Sequence, residues 1–89
     1  MVTGLEYIKD ELEKDDRLDV SESRSILTVD SDEWAEIPAT GETPSEVQVS
    51  ESEWGFDVRT VNSGGERFDL SKKAAVSVVK GYLEGEDLV

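Results

Sequence analysis

Leu5, Ile8 and Leu12 recur at the spacing of one helix face, with Glu6, Lys9, Asp10, Glu11, Glu13 and Lys14 filling the positions between them. Residues 3–14 are therefore expected to form an amphipathic helix. Thr3 can cap it, and Glu6 stands three residues on, as a capping box requires. Asp10 with Lys14 and Lys9 with Glu13 make i,i+4 pairs on the solvated side. The run 15–23 is too polar to continue a helix and reads as a connector.

From residue 24 the pattern changes to β-branched and apolar residues, with Ile26, Leu27, Thr28 and Val29. Asp30, Ser31 and Asp32 supply turn chemistry before Trp34, Ala35, Glu36 and Ile37, so residues 24–37 predict a hairpin. Pro38 ends its second strand, because it has no N–H to give to a ladder. Residues 39–45, with Gly41 and Pro44, form the clearest loop and the expected mobile element. Val47 and Val49, then Trp54, Phe56 and Val58, alternate with polar residues at the period of two more strands with one buried face.

Asn62, Ser63, Gly64 and Gly65 tolerate positive φ and predict a tight turn into a short strand around Arg67 and Phe68. The last helix has the strongest pattern. Leu70, Ala74, Ala75, Val78, Val79, Tyr82 and Leu83 share one face, while Lys72, Lys73, Ser77 and Lys80 share the other. Asp69 or Ser71 can cap its start, and Gly85 is a natural stop. The expected architecture is an α+β two-layer sandwich. An antiparallel sheet of four or five strands carries the N-terminal and C-terminal helices on one face, in one domain spanning residues 1–89. The other sheet face stays open, and Trp34 or Val61 on it would mark a contact surface.

Composition narrows the chemistry. The 89 residues include no Cys and no His, which excludes disulfides, thiolate metal sites and the side chain best tuned for proton transfer near neutrality. A Ser-Lys pairing is the remaining route to a serine nucleophile, and no spacing supports it. The chain is expected not to be an enzyme. The Asp30, Asp32, Glu33 group breaks the calcium-loop pattern, since Trp34 stands where a third acid should and no Gly follows. Asp15, Asp16 and Asp19 are no better. Gly64-Gly65 lacks either phosphate-loop pattern, so the sequence implies no metal ion and no cofactor.

Charge is the strongest departure from an ordinary domain. Nine Lys and Arg against 22 Asp and Glu leave −13, a composition that resembles proteins of extreme halophiles. Self-repulsion of that size is relieved by concentrated electrolyte, which shortens the Debye length to about 3 Å at 1 M. All the net charge falls in residues 1–58; residues 59–89 hold five bases and five acids. That neutral third makes Arg59, Arg67, Lys72, Lys73 and Lys80 a candidate interaction surface, with Trp34 as its apolar member. Both Trp34 and Trp54 lie in expected strands, where an aromatic packs under a helix.

The functional expectation is a small salt-adapted, non-enzymatic module that binds a protein partner or a second copy of itself. One alternative is an acidic nucleic-acid mimic or antitoxin-like inhibitor of a basic protein. Another is a nucleic-acid-binding accessory protein using the five C-terminal bases, which the surrounding acidity disfavours. Neither a leader nor a membrane span is legible, and no small-molecule substrate is inferred. The expected location is cytoplasmic.

Overall fold

The computed structural model describes residues 4–38, 40–61 and 65–85. Its order is α1 (Gly4–Glu13), β1 (Asp19–Ser23), β2 (Ile26–Asp30), β3 (Glu46–Ser52), β4 (Gly55–Val61), β5 (Glu66–Leu70) and α2 (Lys72–Glu84). The strands follow each other as an antiparallel meander in the order β1-β2-β3-β4-β5. Both helices pack on one face, against each other, with α1 on β1 and α2 on β4 and β5. The α+β two-layer architecture expected from the pattern is the one observed, with five strands.

Alternation explains why the layers meet as they do. Leu27 and Val29 of β2, Val47 and Val49 of β3, and Phe56 and Val58 of β4 are buried beneath the helices. Leu5, Ile8 and Leu12 of α1 and Ala75, Val79, Tyr82 and Leu83 of α2 close the core from above. Each fully buried Val or Leu contributes roughly 1.5–3 kcal/mol relative to exposure. Among the described residues, the one buried polar side chain in this layer, Thr60, is satisfied: its hydroxyl donates to Gly65 O at 2.9 Å and accepts from Gly65 N–H at 2.8 Å.

The helix ends follow their local chemistry. Ser71 caps α2, its hydroxyl accepting from Ala74 N–H at 3.1 Å. Gly85 stops α2 in the left-handed conformation, φ 69°, with its N–H on Gly81 O. Leu70, assigned to the helix by its spacing, instead ends β5. Lys9 pairs with Glu13 as expected, but Lys14 reaches Glu11 at 2.7 Å rather than Asp10. The capping role of Thr3 and the turn at residues 62–64 lie outside the described residues.

Two expectations are corrected. Residues 19–23, read as connector, form β1 and pair with β2 through a two-residue turn at Arg24 and Ser25, φ 52° and 64°. The 34–37 segment is not a strand. Ala35 N–H donates to Tyr82 O at 2.9 Å, so the segment lies against the C-terminal end of α2, and Ile37 makes only an isolated bridge to Glu42. Once β2 is paired on one side by β1 and on the other by β3, no ladder position is left for residues 34–37.

Candidate interaction surface

With both helices on one side, the other side of the sheet is uncovered. Strand alternation places Asp19, Ile26, Thr28, Asp30, Glu46, Gln48, Ser50, Asp57, Arg59, Val61, Glu66 and Phe68 there, opposite the buried residues of the same strands. Register then fixes which of these are neighbours. Ile26 lies opposite Ser50, and Ser50 opposite Asp57. Phe68 enters this row from β5, where a bulge at Asp69, φ 57°, shifts the pairing with β4. Asp57 anchors the bulge by accepting from Asp69 N–H at 3.2 Å.

This row ends in the most exposed large apolar residues of the described chain. Phe68 is 51% exposed, Ile26 is 40% and Trp54, in the turn between β3 and β4, is 78%. The β1-β2 and β3-β4 turns point the same way, so Ile26 and Trp54 lie toward the same end of the sheet, and Phe68 stands on the edge strand β5, separated from Ile26 by Ser50 and Asp57. The Arg59 guanidinium lies 5.9 Å from the Phe68 ring centroid, a cation-π contact on the open side. At the opposite end, Asp19 faces Asp30 across β1 and β2, and Glu46 begins β3. Asp16, Arg17, Asp32 and Glu33 extend that end into an open hollow of about 310 Å³. The structure thus joins two acidic groups that are separate in the sequence. Among the described residues, no three or more acids are placed to hold a metal ion.

The five C-terminal bases do not share a surface. Arg59 is on the open face, whereas Lys72, Lys73 and Lys80 belong to α2 on the other layer. Lys72 Nζ lies 4.9 Å from the Tyr7 ring centroid on α1. Lys80 is close enough to Glu11 and Asp15 to favour their ionised forms. Arg67 sits on β5 opposite Val58, with Nη1 donating to Glu66 O, and its charge acts on Tyr82, whose phenol burial pushes up. Trp34 is buried at 8% exposure, as a core aromatic, and is not on the open face. Trp54 reverses the expectation: the alternation that counted it as an inward strand residue breaks at the two-residue turn it occupies.

Charge divides by layer. The helical layer, residues 4–17 and 71–85, holds seven acids and six bases. The sheet and its loops, residues 18–61 and 65–70, hold 13 acids and three bases. On the uncovered face alone, Asp19, Asp30, Glu46, Asp57 and Glu66 stand against Arg59. Ion pairing in the helical layer shifts individual groups: Arg17 holds the Asp15 carboxyl down at about 2, and Lys14 lowers Glu11. No family model, curated protein or solved structure matches this chain. No helix of the described residues is long and apolar enough to cross a membrane.

Proposed function

We propose that this chain is a salt-adapted, non-enzymatic protein-interaction module whose uncovered sheet face is the docking surface. The observation that carries the reading is that Phe68 and Ile26 stand exposed on that face, with Trp54 exposed in the turn between β3 and β4, while the helices cover the other side of the sheet. Exposed aromatics are what interfaces use as anchors. The strongly acidic composition supports work in concentrated electrolyte, where apolar contacts stay effective and charge repulsion is screened.

The test compares the wild-type chain, Phe68→Ser with Trp54→Ser, and Lys73→Glu with Lys80→Glu, each immobilised in high KCl against lysate of the cells that make it. A protein retained by the wild type and the lysine variant but lost from the aromatic variant is the expected result. Retention unchanged by the aromatic substitutions, or lost with the lysines, refutes the face as the docking surface.

A further inference from the structure

We propose that the uncovered sheet face receives a basic protein segment, with apolar side chains against Phe68, Ile26 and Trp54 and Lys or Arg side chains toward Asp19, Asp30 and Glu46. The inference rests on reading this face as an interface and adds the chemistry of the occupant. Its first support is the charge division between layers. The helical layer is nearly balanced, with seven acids to six bases, whereas the uncovered face holds five acids and one base; the other eight acids of the sheet and its loops fall outside that set. A face with five carboxylates and one guanidinium complements a cationic partner. Two copies of this chain, face to face, would instead set those carboxylates against each other, at a cost that grows as salt falls.

Ile26 and Phe68 flank Ser50 and Asp57 in one row of the face, and Asp19, Asp30 and Glu46, with Val61 opposite Glu46, lie toward the other end of the strands. Arg59 supplies a sign that tests the idea. Its guanidinium stands over Phe68 on the open face, so it repels the cationic side chains of a basic segment.

The probes are two synthetic peptides of equal length, one alternating Lys and Val, the other Glu and Val. Each is titrated into the isotope-labelled full chain while backbone amide shifts are followed, with sedimentation in parallel. The Lys peptide is expected to move the amides of Ile26, Thr28, Ser50, Arg59 and Phe68 and to bind about ten-fold or more tightly than the Glu peptide, a preference that shrinks with salt. Asp30→Lys with Glu46→Lys should weaken it by about ten-fold, Arg59→Ala should tighten it, and Lys73→Glu should leave it unchanged. Asp30, Arg59 and Lys73 are exposed and Glu46 is half-buried, accepting from Gln48 Nε2 at 3.0 Å, and circular dichroism of each variant confirms its fold.

Equal affinity for both peptides on the open face overturns the basic occupant and leaves the face as an interface. Shifts confined to the helices, or none from either peptide, overturn both readings. Concentration-dependent dimers that move the same open-face amides make a second copy the occupant, again overturning this proposal.

Discussion

Trp34 shows how much one side chain depends on its surroundings. It is buried in the core, yet its indole Nε1–H finds no hydrogen-bond partner. A buried donor left unmatched costs roughly 1–3 kcal/mol, so its removal offsets part of any lost packing. Trp34→Phe should therefore change stability by less than about 1.5 kcal/mol, whereas Trp34→Ala should cost about 3–5 kcal/mol; urea unfolding of both variants checks the contrast. Asp15 is the second informative residue. Its carboxyl accepts from the Arg17 guanidinium at 2.7 and 2.9 Å and from Arg17 N–H at 3.0 Å, which holds it at about 2 against an ordinary 3.8. A lowered carboxylate contributes stability above its unfolded value and loses it as pH falls through the folded one. The stability gap between the wild type and Asp15→Asn should thus be full near pH 6 and close as pH falls from about 4 to 2, as read by thermal melts. Neither feature is visible in the pattern of residue types, because both depend on which atoms meet.

At the scale of the element, the helices were the most legible. Leu5, Ile8 and Leu12 on α1, and the Ser71 and Gly85 caps of α2, follow from short-range chemistry that a sequence displays directly. β1 was not legible. Of its residues only Val20 is even half-buried, and the turn joining it to β2 places Arg24 and Ser25 at positive φ, where Asn-Gly would have announced a hairpin. Replacing Arg24 and Ser25 by Asn and Gly should raise stability by about 0.5–1 kcal/mol, measured as a higher denaturation midpoint, because relief of the positive-φ cost exceeds the unfolded-state entropy that Gly adds. Gly55 works in the opposite sense. It begins β4 at φ 148°, and a Cβ there would meet Leu70 O at 2.6 Å. Gly55→Ala should therefore destabilise by more than about 1 kcal/mol, and amide exchange should show the loss first in the β4-β5 ladder.

For the molecule as a whole, the division of charge sets how stability responds to salt. Asp19 and Asp30 face each other across β1 and β2, and like charges directly opposite are destabilising. In the helical layer Glu13 has Lys9 at 3.4 Å. Asp30→Lys should raise the low-salt melting temperature, turning a repulsive pair into an attractive one of about 0.2–1 kcal/mol, whereas Glu13→Lys should not. Near 1 M KCl, where the Debye length falls to about 3 Å, the two variants should converge. Melts of both across KCl concentration decide this, and a benefit equal at every salt level would refute the repulsion.

The sequence by itself determined the class, two amphipathic helices around a run of alternating strands, because helix and strand periods are local properties of neighbouring residues. It also determined the absence of Cys and His and the size of the net charge. The candidate surface was only partly legible: the open sheet face follows from having two helices for one side, but its members do not. Arg59 belongs with Phe68 rather than with Lys73 and Lys80, Trp34 is inside and Trp54 outside, and the acids of residues 16–19 meet those of 30–33. Those placements are pairings across the sheet and across layers. They depend on strand register, on a two-residue turn and on a bulge at Asp69, each of which moves side chains from one face to the other without changing the composition of any segment.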